Sequence, residues 1–574
     1  MSNAIDRESA LLSRREWLGK LALPAAGAAV AAGLFESQPA LARAKPPAST
    51  DDLGARIYNI RSYGAKGDKA TLDTAALQAA IDACNRDGGG TVLVPAGTFV
   101  IGTVELKSNV TLHIAAGGTL LGSADGKQYH AVDAIPLSGD TTLNDGNWAL
   151  LFAVKAVNVA IEGPGTIDGQ GAQFHSPVRG TPPPSGIGGN KRPYHVLAYQ
   201  SENFSVRNIS LLDCAYHSIR IIESQRIHLD SIYIHNRVNG NNDGFHFISA
   251  EHVTVSNCIV KCGDDACAMF GSCRYITVTN SYFSTRWSVF RFGGGHAGDI
   301  AISNCVLHEV YGCPMKFQGD PGSRFENISF SDLVLDDVTG PISISIGKGR
   351  RRPSDAPLPE ELPPVVVRNI SFSNIHGNVT TNPPHQLSES TLGVGGRPGE
   401  GHSAIVLNSI DDSVLENISF NNVHLTFGGG GTAEEGARRD VPKVFGEYFE
   451  LGPIPAYGLY ARNARGLTLQ NVRLEVSTPD LRPAVIFDHV EDAAFNGLSV
   501  QGNTDAESVL RFIDSKQTLI TAARVLTPSS PFLQIEGDSS EGIIIDGGDL
   551  SKASAPVVFK SGASETSVKL RNVS

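Results

Sequence analysis

One short pattern returns nine times along this chain, and a repeat of that period leaves few folds open. Each copy is an alternating apolar–polar strand, then Asn or Asp, then a second alternating strand. Clear copies are Phe204–Leu211 (FSVRNISL), Ile227–Ile234 (IHLDSIYI), Val253–Val260 (VTVSNCIV), Ile276–Phe283 (ITVTNSYF), Ile300–Leu307 (IAISNCVL) and Ile328–Leu335 (ISFSDLVL). Further copies begin near Ile370, Ile418 and Leu467, and the central starts are 23, 26, 23, 24 and 28 residues apart. Alternation of period two marks half-buried strands, and the Asn or Asp between them supplies a bend. A period above 20 with several strands per copy predicts an all-β chain wound as a right-handed parallel β-helix, one coil per repeat. A β-sandwich would not restate one motif in one phase nine times.

The rest of the chain fits a solenoid, which lengthens along one axis without widening its core. The 574 residues include 61 glycines, and only 18% are charged. Thr74–Cys84 has the apolar spacing of an amphipathic helix and is placed to cap the open edge of the first coil. The β-helix domain is expected over 57–574, behind a linker at 45–56, with loops projecting at about 122–150, 175–195, 348–364 and 427–456. A net charge of −12 argues against nucleic acid or an anionic membrane as partner. The first 44 residues read as a twin-arginine export signal: Ser13–Lys20 (SRREWLGK), the apolar stretch Leu21–Leu34, and small-residue cleavage sites at Ala40–Ala42 and Ala42–Ala44. That reading implies the twin-arginine export machinery as partner, a periplasmic or secreted location, and a monomer with no membrane attachment once mature. Cysteines such as Cys258, Cys262 and Cys267 lack zinc-ligand spacing and read as small buried hydrophobes. No metal or cofactor is expected.

The chemistry concentrates in two aspartate clusters. Asn241-Asn242-Asp243-Gly244 precedes Gly263-Asp264-Asp265, with Asp243 and Asp264 21 residues apart, about one coil. Either cluster alone is an ordinary turn. Counting forward from the first residue of each repeat, one corner of the helix should stack Tyr216, Asp243, Asp264-Asp265, Trp287 and Tyr311. Coils lie about 4.8 Å apart. The three carboxylates should therefore converge on the solvent side of one wall, with aromatics above and below suited to sugar faces. Paired carboxylates on a rigid wall serve glycoside hydrolysis, one protonating the leaving oxygen while the other activates water. Like charges held together also keep one carboxyl protonated.

These motifs, with Ser62–Asp68 (SYGAKGD) and Gly165–Gly171 (GTIDGQG), resemble the polygalacturonase family, glycoside hydrolase family 28 of the pectin-lyase-like superfamily, over roughly residues 57–340. The resemblance implies an inverting hydrolase of pectic, uronic-acid-containing polysaccharide. It assigns Asp264 as general acid, with Asp243 and Asp265 holding and deprotonating the attacking water. Two family motifs are altered. Trp287-Ser288-Val289 stands where members have Gly-His-Gly, and Pro314-Met315-Lys316 where they have Arg-Ile-Lys to grip a galacturonate carboxylate. Lys316 remains, and Arg291 is placed to replace the lost charge. Substrate contacts are expected from Lys316, Arg291, Tyr216, His217, Trp287 and Tyr311. The rival readings are a polysaccharide lyase using Lys316 or Arg291 as base with carboxylate-bound calcium, and a catalytically silent carbohydrate-binding β-helix.

Overall fold

The computed structural model describes residues 56–573 apart from 136–146, 177–180, 190, 349–361, 391–392 and 394–396. The export-signal expectation (1–44), nearly all of the 45–56 linker and most of the 348–364 loop fall outside the described residues. Within them, no helix is long and apolar enough to cross a membrane.

The repeats wind as a right-handed parallel β-helix. Among the described residues every strand pairing is parallel, apart from two isolated antiparallel bridges in loops, Ala131 with Trp148 and Gln386 with Gly393. One wall is a sheet of 15 strands, one per coil. The seven nearest the aspartate clusters are β1 (Tyr194–Tyr199), β2 (Ile219–Ile222), β3 (Phe245–Ile248), β4 (Cys267–Phe270), β5 (Ser288–Gly293), β6 (Cys313–Gly319) and β7 (Ile342–Ile346). Each repeat motif supplies the other two walls and the corner between them.

That corner explains the Asn or Asp of the repeat. Asn208, Asn257, Asn304, Asp332, Asn374, Asn422 and Asn471 all sit at φ of 50–57°, a left-handed conformation that Asn and Asp adopt most readily after Gly. Their side chains then bond from coil to coil: Asn374 donates to Asp332 (2.9 Å), Asn422 to Asn374 (2.9 Å) and Asn471 to Asn422 (2.9 Å). A second ladder climbs the opposite strand ends through Asn327, Asn369 and Asn417 (3.0 and 3.2 Å). Inside, residues at equal offsets stack face to face, as Phe330, Phe372 and Phe420 do at 5.2 Å centroid spacing. The apolar side of the repeat is therefore a continuous column of like residues.

The cap is present as helix α1 (Thr74–Arg86), two residues longer than the spacing predicts, burying Leu77, Ala80, Ile81, Ala83 and Cys84 against the first coil. Asp73 does not cap the helix through its side chain. Its carboxylate instead accepts from the amides of Lys66 (2.7 Å) and Gly67 (3.0 Å) and so ties down the preceding loop. All eight cysteines are unpaired and buried.

The ladder can be weighed by substitution. Asn374→Val places a β-branched residue at φ 53° and removes two ladder bonds, a loss of about 2–4 kcal/mol. Asn374→Gly accepts the backbone and loses only the bonds, about 1–2 kcal/mol. Denaturant unfolding of both variants should rank them in that order; equal destabilisation would mean the left-handed corner carries no strain for a β-branched residue.

Candidate active site

Strand register fixes which side chains meet on the 15-stranded wall. On its outer face Arg220 (β2) pairs with His246 (β3), His246 with Ala268 (β4), Ala268 with Arg291 (β5), Arg291 with Lys316 (β6), and Lys316 with Ser343 (β7). Phe290 and Phe292 point into the core, so Arg291 faces outward as required for a role in the cleft. The turns entering β3, β4 and β5 hold Asp243, Asp264-Asp265 and Trp287, and Ser288 begins β5.

The three aspartates come together at this edge. The amides of Gly263 and Asp264 both donate to the Asn242 carbonyl (3.1 Å each), and the Gly244 amide donates to the Asp265 carbonyl (3.0 Å). Asp243 therefore stands beside Asp265, while Asp264 stands beside Asn242. Gly244 is needed for this approach, since a Cβ there would meet the Ala266 carbonyl oxygen at 2.5 Å. Three buried asparagines hold the turn. Asn242 donates to the carbonyls of Cys214 (3.0 Å) and Tyr216 (2.8 Å) and accepts from the Val238 amide (3.0 Å). Asn236 donates to the carbonyls of Tyr216 (2.9 Å) and Asp243 (3.2 Å), and Asn239 to those of Gly171 (2.7 Å) and Ala215 (3.2 Å). The Gly165–Gly171 motif thus touches the site through a backbone carbonyl.

Each carboxylate has its own surroundings. Asp243 is 4% exposed, with one oxygen 2.7 Å from His246 Nδ1 and the other 3.6 Å from His217 Nε2. Burial pushes its pKa well above the ordinary range, and the Asp265 charge adds to the rise. Asp264 is more open; one of its oxygens accepts from the Asp265 amide (3.0 Å) and the other from Asn241 Nδ2 (3.4 Å). Its pKa is also raised well above the ordinary range, by desolvation first and then by the charges of Asp243 and Asp265, with Lys316 and Arg291 opposing. Asp265 is 4% exposed, lies 3.4 Å from Arg291, and its buried Oδ1 has no hydrogen-bond partner among the described residues. The donor atoms of His217, Asp243 and His246 lie within 4.8 Å of one another, a grouping able to take a cation. Here the carboxylate is already engaged by His246.

The flanking residues correct several expectations. Asp243 is in register with His217 and Asp265, and Tyr216 with Asn242, so the single column counted from the repeat is two adjacent columns. Tyr216 and His217 are buried. Tyr216 stacks on Tyr194 (5.3 Å) and carries the Arg192 guanidinium over its ring (4.1 Å), while His217 stacks on His246 (4.5 Å) and braces Asp243 instead of facing a substrate. Tyr311 is fully buried, its hydroxyl on Asp337 (2.5 Å). A one-residue bulge displaces it: Phe283 pairs with Leu307 but Thr285 with Val310, so Gly312 takes the place beside Trp287. Trp287 is half-buried, with Lys316 Nζ (4.9 Å) and the Arg397 guanidinium (4.2 Å) over its ring. Lys316 is fully buried and bonded to both carboxylate oxygens of Glu447 (3.0 and 3.2 Å), so the expected substrate-binding lysine is covered. The asparagine clamp, His246 and Glu447 are the residues that sequence reasoning missed. The spacing of Asn236, Asn239 and Asn242 was a signal for the first; Glu447, 131 residues from Lys316, left none.

Comparison with known proteins follows the same lines. The family model for Glycosyl hydrolases family 28 matches residues 84–392. A curated relative, an exo-poly-alpha-D-galacturonosidase of Dickeya chrysanthemi, is 25% identical over 440 residues, 64% of this chain and 71% of its own. The fold is shared with a family 28 exopolygalacturonase of Yersinia enterocolitica (TM-score 0.54, 19% identity, 79% of each chain). It is shared too with a hyperthermoactive exopolygalacturonase of Thermotoga maritima (0.53, 19%, 73% of this chain and 92% of the other).

The raised carboxyls have a signed consequence for stability. A group whose folded pKa is raised contributes stability that is complete below its unfolded value, about 3.9 for Asp, and is lost as pH rises through the folded value. Asp243→Asn removes one such group. The variant should melt about 1 °C above the parent at pH 8, as roughly 1 kcal/mol implies for a chain of this size, and the gap should shrink towards pH 4. A gap independent of pH would show that Asp243 titrates normally.

Proposed function

Because the chain belongs to glycosyl hydrolases family 28, we propose that it hydrolyses glycosidic bonds in pectic, uronic-acid-containing polysaccharide with inversion at the anomeric carbon. The observation that carries this reading is the meeting of Asp243, Asp264 and Asp265 at one clamped turn on the edge of the 15-stranded wall. Asp264 is the more open of the three, and burial, then the charges of Asp243 and Asp265, raise its pKa well above the ordinary range, the direction a general acid needs. It gives its proton to the glycosidic oxygen as the bond to the anomeric carbon breaks. Water attacks from the opposite face, and its proton passes to the Asp243–Asp265 pair. Asp265, paired with Arg291 at 3.4 Å, is placed to help hold that water, and the Asp243–His246 contact offers the proton an onward partner. Inversion needs the acid and base about 6.5–9.5 Å apart so that a water fits between them.

The lyase alternative loses ground on the same geometry. A lysine or arginine acting as base must reach the substrate and shed its proton; Lys316 is fully buried against Glu447, and Arg291 is paired with Asp265 at 3.4 Å.

Asp264→Asn keeps the shape of the side chain and removes its proton. We expect turnover on pectic oligosaccharides to fall by about 10²–10⁴-fold while affinity is kept, and proton NMR of the first-formed sugar from the parent to show the inverted anomer. A retained anomer, or a variant as active as the parent, would contradict the mechanism.

A further inference from the structure

The insertion at 427–456 is a strap laid over the outer face of the 15-stranded wall, running back against the direction of coiling. The wall's own polar side chains hold it at successive coils. Arg511 donates to the carbonyl of Gly436 (2.8 Å), Arg462 to those of Val441 (2.8 Å) and Pro442 (3.1 Å), and Asn408 to that of Val444 (2.9 Å). The Gly446 amide then reaches Ser345 Oγ (3.4 Å). The next residue is Glu447. Tyr448 beyond it is fully buried against Gly340, where a Cβ would meet its ring at 2.4 Å, and Phe449 packs edge-on against Trp287 at 6.2 Å. Glu447 is therefore placed by contacts on both sides.

From this we infer that Glu447 is a specificity residue: it supplies Lys316 with an internal carboxylate, so the sugar unit bound at the Lys316 end of the cleft is uncharged. The inference rests on the carbohydrate-hydrolysing reading of the cleft and narrows its substrate. Lys316 has no exposed side-chain surface, and Glu447 holds it with both oxygens. A substrate carboxylate seeking that ammonium would have to displace Glu447 or lie beside it, and two carboxylates sharing one cation repel. Arg291, next along the floor, already lies 3.4 Å from Asp265. Burial pushes the Glu447 pKa up, but the charges of Lys316 and Arg291 more than offset this and hold it below the ordinary range, so it stays ionised. An uncharged unit meets no such conflict. In a pectic chain it is either a methyl-esterified galacturonate or a neutral sugar.

Three oligosaccharides test this by calorimetry, using Asp264→Asn so that nothing is consumed: tetragalacturonate as the free acid, its methyl ester, and an oligomer alternating galacturonate with a neutral sugar. The ester should bind at least about tenfold more tightly than the acid. Adding Glu447→Gln frees Lys316 and should narrow that ratio about tenfold. Adding Lys316→Met instead leaves Glu447 without its countercharge and should widen it, so the pair gives opposite signs and either variant suffices if the other fails to fold. The alternating oligomer identifies the source of the uncharged unit: binding as tight as the ester points to a neutral sugar, weaker binding to the ester. Equal affinity for acid and ester in Asp264→Asn, or a ratio that neither added substitution moves, would overturn the inference. Because affinity is read without turnover, an inactive parent enzyme would refute the hydrolytic reading while leaving this ratio to stand or fall by itself.

Discussion

Parallel, in-register stacking of coils is the constraint on which the rest of this protein depends. With coils about 4.8 Å apart, a residue at a given offset has its neighbours chosen by the coils above and below. On the inside this yields columns such as Phe330, Phe372 and Phe420, and at the corner the asparagine ladder. At the cleft edge the same rule brings like charges together. Asp243, Asp264 and Asp265 enter adjacent coils at one hydrogen-bonded turn.

That crowding works against stability, and the surrounding structure opposes it with unusual care. The turn at Asn241–Gly244 is pinned by Asn236, Asn239 and Asn242, whose amides are spent on backbone carbonyls from the preceding coils. The floor then supplies compensating charge, Arg291 against Asp265 and Lys316 against Glu447. Carboxyl groups whose pKa burial and mutual repulsion raise, beside one paired with Arg291, provide an acid and a water-holding base from a single residue type. Stability is given up locally, and the chemistry is what that sacrifice makes possible.

The fold was readable from the chain because its two governing signals are local. Period-two alternation and a bend residue with left-handed tendency need no tertiary knowledge, and both recur in phase. The aspartate pairing was readable for the same reason, being one coil apart. Reading failed where the phase broke. The bulge between Leu307 and Val310 shifts Tyr311 out of its counted place, and the longer turn at Asn239–Asp243 moves Asp243 beside Asp265. It also failed where a partner comes from far along the chain. Lys316 looks like an available cation in sequence, but Glu447 arrives on a strap whose path is set by Arg511, Arg462 and Asn408 on later coils. Arg397, whose guanidinium lies over Trp287, gave no signal either.

The central claim is that one clamped corner positions an acid and a water-holding pair on opposite sides of a glycosidic bond. A crystal structure of the Asp264→Asn protein with a bound pectic oligosaccharide addresses it directly. The account predicts the bridging oxygen within about 3 Å of the residue 264 side chain, and a water held by Asp243 and Asp265 on the far face of the anomeric carbon. An oligosaccharide lying elsewhere on the wall, or one whose bridging oxygen is out of reach of residue 264, would contradict it.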